Sequence, residues 1–233
     1  ERLLLTGHSH QAWPDVAFEG QTEAWADAAE CVDEKWERAA AKADAVRRGY
    51  ARLLGDTSGL ITLGASTHEL VIRLLSALPL AERPRLVTTD GEFHTLRRQL
   101  DRLGEGGRLE VVRVSSQPAG SIAPRLVAAI DERTAAVLVS SVLFSNAHLV
   151  PDLGAGVHCI NVPTVAAELL VDAYHQLNVV PFSLAALGLE DAFVVGGGYK
   201  YCQLGEGNCF LRVPPGREAM RPVVTGWYSE FAR

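Results

Sequence analysis

Cysteine is scarce in this sequence, and the few thiols present lack the spacing of a metal site. The 233 residues include four cysteines, none of which belongs to a C-x-x-C pair. Because structural zinc sites need closely paired thiols or histidines, no zinc site is expected. Unpaired thiols are typical of a reducing compartment. The four are Cys31, Cys159, Cys202 and Cys209.

Basic charge and long apolar runs are also in short supply. There are 22 lysine and arginine residues against 28 acidic ones, which gives a net charge of −6. Nucleic acids and anionic membranes are therefore not expected as partners. No apolar run reaches the ~20 residues that span a bilayer. No signal peptide is visible after Glu1, and a cytoplasmic location is expected.

The composition that remains is typical of one sizeable globular core. Apolar residues make up 48% of the chain and charged residues 21%, which argues against disorder. No internal repeat or low-complexity linker is present. We expect a helical segment over residues 1–54, a large α/β domain over 55–220, and the start of a truncated C-terminal portion over 221–233.

Residues 18–54 carry the periodicity of a long amphipathic helix that ends near Gly55. Apolar side chains recur every three or four positions and form one stripe. Trp25 and Trp36 lie on this stripe, so we expect them to pack against the rest of the protein rather than to bind a ligand. The stripe begins with Phe18, Trp25, Ala29, Val32 and Trp36.

After Gly55, short apolar runs alternate with helical stretches. This alternation predicts an α/β fold with a mainly parallel, seven-stranded sheet. Residues 151–167 fit either a short helix or a strand-like segment. The predicted strands are 60–63, 86–89, 109–114, 135–141, 169–171, 192–195 and 208–213, and the predicted helices are 67–78, 93–103 and 123–130.

Open α/β sheets bind ligands beyond the carboxyl ends of their strands, so polar residues at those ends are candidate site residues. Gly64-Ala65-Ser66-Thr67 follows a predicted strand and opens a helix. Small residues, free N–H groups and the hydroxyls of Ser66 and Thr67 suit a phosphate group. The same residues suit an ordinary helix N-cap without a ligand.

Asp172 ends a predicted strand, where a buried carboxylate needs a partner. A protonated pyridine nitrogen would be such a partner; a helix cap or an ordinary basic residue would be another. Asp172 and His175 together could suggest a metal, but the spacing places no third ligand, so no metal is expected.

Lys200 follows an apolar strand and the glycines Gly196-Gly197-Gly198. Glycines allow a ring or a phosphate to approach the backbone closely, and a lysine in so crowded a place would have a lowered pKa, as a Schiff-base lysine requires. Tyr199 beside it could donate a hydrogen bond to a phosphate or act as a general acid near the reacting carbon. The alternative is an ordinary lysine on a surface loop.

Together these motifs resemble the kynureninase branch of the class V aminotransferase group. The resemblance rests on Asp172-Ala173-Tyr174-His175 and Tyr199-Lys200. It implies the aspartate-aminotransferase-like fold (fold type I) and the cofactor pyridoxal 5′-phosphate (PLP). Lys200 would form the aldimine, Asp172 would contact the ring nitrogen, and His175 and Tyr199 would be further cofactor contacts. Ala65-Ser66-Thr67 resembles the family's phosphate-binding turn, and Phe93 in Gly91-Glu92-Phe93-His94 is the candidate that stacks on the ring.

Two looser similarities concern the substrate and the neighbouring subunit. Gly7-His8-Ser9-His10-Gln11 resembles a segment that borders the substrate in the family, which makes His8, Ser9 and His10 substrate candidates. The family has asparagine and leucine where His8 and His10 stand, so a different pocket is implied. Gly226-Trp227-Tyr228 resembles a segment that reaches the partner's cofactor phosphate, which implies a homodimer and a cofactor contact from Trp227. Family members continue into a small C-terminal domain, and we expect that domain to be absent from this sequence, which ends at Arg233.

The expected activity is a kynureninase-like hydrolytic C–C cleavage of a small amino-acid substrate. Lys200 would remove the α-proton, and Tyr199 is the candidate proton donor. An aminotransferase or a cysteine-desulfurase-type lyase is the alternative; the desulfurase is less expected because Cys202 and Cys209 are too close to the lysine to form a separate mobile loop. A non-catalytic domain of the same fold is the third hypothesis, against which the intact Asp172 and Lys200 argue.

Overall fold

The computed structural model describes residues 5–154 and 167–226. Its N-terminal part is a pair of helices, α1 (Asp15–Cys31) and α2 (Lys35–Leu54). The predicted single helix over 18–54 is therefore confirmed except at residues 32–34, where Val32 has a φ of 42° and the chain turns. The α2 helix ends at Gly55 as predicted, with a left-handed φ of 62° that glycine adopts without steric cost.

The centre of the molecule is a seven-stranded sheet with the order β1-β7-β6-β5-β4-β2-β3. Strands β2 to β6 pair in parallel, whereas β7 runs antiparallel to both β1 and β6. The prediction of a mainly parallel sheet of seven strands is confirmed. The strands are β1 (Ile61–Gly64), β2 (Arg85–Thr89), β3 (Glu110–Val114), β4 (Thr134–Ser140), β5 (Glu168–Asp172), β6 (Phe193–Gly197) and β7 (Cys209–Arg212).

Helices cover both faces of this sheet. They are α3 (Thr67–Ala77), α4 (His94–Glu105), α5 (Ile122–Ala128) and the short α6 (Leu184–Leu187). All seven residues of β4 are buried, as its continuous apolar run predicts for a strand covered on both faces. Alternate residues serve opposite sides: Val137 packs into the cluster that includes Leu54 of α2, while Leu138 packs with Leu70 of α3.

The aromatic stripe of the N-terminal helices is not packed as predicted. Trp25 is 74% exposed and Trp36 58% exposed, and α1 contributes no buried residue. The prediction was wrong because helical periodicity shows which side chains share a face and not whether anything covers that face. Exposed apolar patches of this kind are typical of interaction surfaces. The homodimer stays a prediction.

The structure does not test two other predictions, one on the segment 151–167 and one on the division of the chain. Most of the segment 151–167 lies among residues 155–166, which are outside the described part. The division into 1–54, 55–220 and 221–233 also stays a prediction. Within residues 5–154 and 167–226, no helix combines the length and the apolar character needed to cross a membrane.

One buried ion pair joins the strand β7 to the end of the helix α2. The guanidinium of Arg212 lies 3.3 Å from the Asp56 carboxylate, and both side chains are almost fully buried. Arg212 also donates to the carbonyl oxygens of Glu190 and Ala192. Burial by itself raises the pKa of Asp56, but hydrogen bonds from Ser58 and Arg212 outweigh it and leave that pKa lowered.

Asp56→Ala is expected to lower the free energy of unfolding by about 3 kcal/mol, because it leaves the buried Arg212 without its counter-charge. Asp44→Ala is the control, since Asp44 pairs with Arg47 on the surface and should change stability by less than about 0.5 kcal/mol. Urea unfolding measures both. The difference between parent and Asp56→Ala should be complete above pH about 4, the pKa of an unfolded aspartate, and should disappear as the pH falls through the lowered folded pKa. Equal losses in the two variants would contradict this role.

Candidate active site

A cavity of about 270 Å³ lies at the carboxyl ends of β4, β5 and β6, beside the N-terminus of α3. This is the position at which open α/β sheets bind ligands. The structure brings together here every predicted cofactor-binding residue that it describes; their roles stay predictions, and Trp227 lies outside the described residues. Those lining the cavity are Ser66, Thr67, Phe93, Asp172, His175, Tyr199 and Lys200.

Lys200 is only 6% exposed, and its ammonium group points into this cavity. A surface lysine, the alternative interpretation, is thus wrong. Loss of hydration lowers the pKa of Lys200, while the charge of Asp172 opposes that change. The Nζ atom lies 5.3 Å from the ring centroid of Phe93, 4.9 Å from that of Tyr174 and 5.6 Å from that of Tyr199. Three aromatic faces therefore surround the amine.

The glycines before Lys200 are required by close packing beneath it. A Cβ atom on Gly197 would lie 2.7 Å from the ring of Tyr174, and one on Gly198 would lie 2.8 Å from the Tyr50 hydroxyl. Any side chain at these two positions would push the rings away from the strand end. The glycine run thus places the lysine backbone directly against the wall of the cavity.

Asp172 lies at the end of β5, where the N–H of Tyr174 donates to its Oδ1 atom at 2.9 Å. Burial raises the pKa of Asp172 to about 6, although the Tyr174 N–H and the charge of Lys200 both lower it. One backbone donor is poor compensation for a desolvated carboxylate. A cationic heterocycle in the cavity would supply the missing partner.

His175 holds the end of the lysine side chain. Its Nε2 atom lies 2.8 Å from Lys200 Nζ. Burial, the charge of Lys200 and the charge of His8 together lower the pKa of His175 to about 4. The imidazole is therefore neutral near pH 7, and its Nε2 atom can accept a hydrogen bond from the lysine.

The side chains of Ser66 and Glu69 cap backbone N–H groups at the N-terminus of α3. Ser66 Oγ accepts from the N–H of Glu69 at 3.1 Å, and the Glu69 carboxylate accepts from the N–H of Ala65 at 3.1 Å. The N-cap role of Ser66 is confirmed. It remains compatible with a phosphate site, because the cap uses the oxygen of Ser66 and leaves its O–H free to donate into the cavity. Arg73 pairs with Glu69 and offsets its charge.

The N-terminal turn lies near the cavity, as the substrate prediction requires. Ser9 Oγ and His10 Nδ1 are 2.8 Å apart, and the His10 ring centroid is 6.2 Å from that of Tyr199. His8 lines an adjoining open cavity of about 380 Å³ that shares His175 with the first. Substrate contacts by His8, Ser9 and His10 stay predictions.

Several residues of the site were not predicted from the sequence. Ser140 ends a buried strand, so the rule that found Asp172 could have found it too. Tyr174 and Phe144 line the cavity but look like core residues in the sequence. Cys209 also lines it, and burial raises the pKa of its thiol, as it does for Cys202. Neither thiol is thus activated as a nucleophile.

No protein-family model and no curated protein matches this chain. Solved structures do. A NifS-like protein superposes with a TM-score of 0.78 at 18% identity, over 98% of this chain and 63% of its own. The cysteine desulfurase CsdA from Escherichia coli gives a TM-score of 0.78 at 17% identity, over 96% of this chain and 57% of its own.

The cystine C–S lyase C-DES, solved in complex with its product cysteine persulfide, gives a TM-score of 0.75 at 17% identity, over 95% of this chain and 60% of its own. A variant of C-DES was solved with glycine covalently linked to its PLP cofactor. The chain therefore has the fold type I architecture of these proteins and spans 57–63% of the length of the three. The narrower resemblance to kynureninases finds no support among them.

Lys200→Met should raise the pKa of His175 above its parent value of about 4, because the variant keeps a long side chain and removes the neighbouring positive charge. An NMR titration of the histidine ring protons measures this, with His175→Gln used to assign the signal. Lys42→Met is the matched control, since Lys42 pairs with Glu23 on the exposed N-terminal helices. An unchanged His175 titration in Lys200→Met would contradict the contact.

Proposed function

We propose that this chain is the cofactor-binding part of a PLP-dependent enzyme that acts on an amino acid. The observation that carries the proposal is the placement of a buried lysine amine and a desolvated carboxylate, Lys200 and Asp172, in one cavity beside a helix N-terminus. A PLP molecule needs groups of these three kinds: an amine for its aldehyde carbon, an anion for its ring nitrogen, and donors for its phosphate.

The residues present fit this cofactor. Asp172 would hold the ring nitrogen and keep its own charge, because the cation replaces the lost hydration. Phe93 would lie against one ring face, while the hydroxyls of Ser66 and Thr67 and the N-terminus of α3 would hold the phosphate. When bound, PLP supplies an electron sink for the negative charge that develops at the substrate's α-carbon.

The chain's own proton-transfer group would be Lys200. Its lowered pKa increases the share of neutral amine near pH 7, which can take a proton from the α-carbon. His175 accepts a hydrogen bond from the amine and so orients it. The lysine nitrogen lies 5.6 Å from the ring centroid of Tyr199, which is our candidate for returning a proton to the reacting carbon or leaving group.

For the reaction we propose cleavage of a C–S bond at the β-carbon of cysteine or cystine. Support comes from the solved structures of similar fold, whose names describe cysteine desulfurases and a cystine C–S lyase. After the α-proton is lost, the electron pair of that bond forms a double bond between the α- and β-carbons, the C–S bond breaks, and the sulfur leaves with its bonding electrons. Water then completes the reaction, so that cystine and one water yield pyruvate, ammonia and cysteine persulfide. The raised pKa values of Cys202 and Cys209 favour direct release of sulfur over its transfer to either of these two thiols.

Kynureninase-type C–C hydrolysis is the second candidate. It is favoured by the aromatic wall beside the lysine, where the rings of Phe93 and Phe144 meet edge to face with centroids 5.2 Å apart. An aryl substrate side chain could pack on such a wall. Tyr199 next to Lys200, the pair on which that resemblance rests, supplies the required acid.

The cofactor assignment is tested by titrating the purified chain with PLP and recording the visible absorbance. The parent should develop the band of lysine-bound PLP, and Lys200→Ala should lose it. Asp172→Asn should bind PLP at least about tenfold more weakly, since a charge-assisted hydrogen bond is lost. Asp191→Asn is the control on an exposed aspartate outside the cavity. A Lys200→Ala variant with the parent's spectrum would contradict the assignment.

The reaction branch is tested by supplying the PLP-loaded chain with cystine, cysteine or kynurenine. We expect pyruvate and reduced sulfur from the sulfur amino acids, and no product from Lys200→Ala. Alanine and an aryl product from kynurenine, without pyruvate from cystine, would favour the second candidate instead. A matched reaction with serine tests whether a sulfur leaving group is required.

A further inference from the structure

A second buried acid lies behind the cavity and has no part in the function described so far. Glu92 is 2% exposed and stands in the connection between β2 and α4, directly before Phe93. Within the described residues it forms no ion pair with a lysine, arginine or histidine. Its carboxyl group is instead held by two hydroxyls: Thr89 Oγ1 donates to Oε1 at 2.6 Å, and Ser140 Oγ donates to Oε2 at 2.6 Å.

These contacts join the ends of two strands to the turn that carries Phe93. Thr89 ends β2, and its hydroxyl also accepts from the N–H of Gly91. Ser140 ends β4, lines the cavity, and is paired in register with Asp172 of β5. Hydrogen bonds through Thr89 and Ser140 therefore link the carboxyl group of Glu92 to two parts of the proposed cofactor site. One is the ring face beside Phe93, and the other is the ring nitrogen beside Asp172.

The turn itself leaves little freedom. A Cβ atom on Gly91 would lie 2.7 Å from the side chain of Ser116, so the chain passes that point as tightly as glycine allows. Asp90 accepts from the N–H of Ser116 at 2.7 Å and ties the same turn to the residues after β3. With its ends fixed in this way, the turn can hold Glu92 inward and Phe93 over the lysine.

We propose that Glu92 is a positioning residue of this site, which fixes Phe93 and the Asp172 strand end through Thr89 and Ser140 and acts on the cofactor's charge from behind Asp172. The inference rests on the proposed function, because it concerns the group that Asp172 and Phe93 would hold. Two charged groups act on Glu92 or on the same cavity: Asp172 on β5 and Lys200 after β6. The groups that contact the Glu92 carboxyl directly are the hydroxyls of Thr89 on β2 and Ser140 on β4.

The charge of Glu92 changes in the working range of such an enzyme. Burial raises its pKa to about 7, the two hydroxyl hydrogen bonds lower it, and the charge of Asp172 raises it further. Above that pH, an ionised Glu92 adds a second negative charge behind Asp172. It would stabilise positive charge on the ring nitrogen and on the lysine nitrogen of a bound cofactor.

Two variants separate the charge from the hydrogen bonds. Glu92→Gln keeps the size and the polar contacts but removes the charge; Glu92→Leu removes both. Both should lower the pH midpoint of the visible band of lysine-bound PLP, by roughly half a unit. Glu92→Leu should also bind PLP about tenfold more weakly and reduce the visible circular dichroism that reports the seating of the ring.

The matched control is Thr88→Val. Thr88 is equally buried, lies on β2 next to Thr89, and donates to the carbonyl of Leu138, but does not line the cavity. It should lose stability without changing the pH midpoint or the affinity for PLP. Far-ultraviolet circular dichroism checks that each variant is folded, and Glu92→Gln alone decides the question of charge if Glu92→Leu does not fold.

The outcomes separate this proposal from the one on which it rests. A parent chain that binds no PLP would overturn the proposed function and this inference with it. A parent that binds PLP normally, together with Glu92 variants whose pH midpoint and affinity equal the parent's, would overturn this inference alone. A change of equal size in Thr88→Val would reduce Glu92 to a purely structural role and would also overturn it.

Discussion

The burial of a lysine amine in the same cavity as an aspartate carboxylate is the constraint on which the rest of this site depends. Lys200 and Asp172 follow neighbouring parallel strands, so the sheet itself brings them to one edge. Neither group is hydrated as it would be at the surface, and each lowers the electrostatic cost of the other. Such an arrangement costs stability, and it is understandable when a ligand completes it.

The residues around Lys200 and Asp172 can be explained by the need to keep both charged groups in one cavity. Glycines at 196–198 let the strand end approach the aromatic rings, and those rings exclude water from the amine. His175 stays neutral beside Lys200, so it orients the amine without adding a second positive charge. Farther from the cavity, the buried ion pair between Asp56 and Arg212 fixes the antiparallel strand β7 against the end of α2.

Much of this could be predicted from the sequence, because parallel strands that are buried on both faces are continuous apolar runs and their ends are marked by polar residues. Asp172 and Lys200 were recognisable for that reason. Glu92 was not, since an acid in a short connection looks like a solvated loop residue until the fold places it behind the sheet. The prediction that Trp25 packs into the protein was wrong for the opposite reason. Its spacing along the helix is that of a core residue, but the helix sequence alone does not show whether another element covers that face.

Local sequence also left the reaction open. The motifs around Lys200 predict how a cofactor would be held. They do not predict which substrate bond would be broken, because the same electron sink serves several reactions. The residues predicted to contact the substrate, His8, Ser9 and His10, lie on an N-terminal turn, and loops of this kind tolerate variation. Cleavage of a C–S bond is therefore our proposal for the reaction, since the described residues would serve several reactions of the same cofactor.

The most direct test of the central claim is to add PLP to the purified chain, reduce with borohydride, digest, and locate the modified residue by mass spectrometry. The account predicts one dominant phosphopyridoxyl group, on the peptide that contains Lys200, and its loss when Asp172 is replaced by alanine at limiting PLP. Labelling spread over the other two lysines of the sequence, Lys35 and Lys42, with none at Lys200, would contradict it.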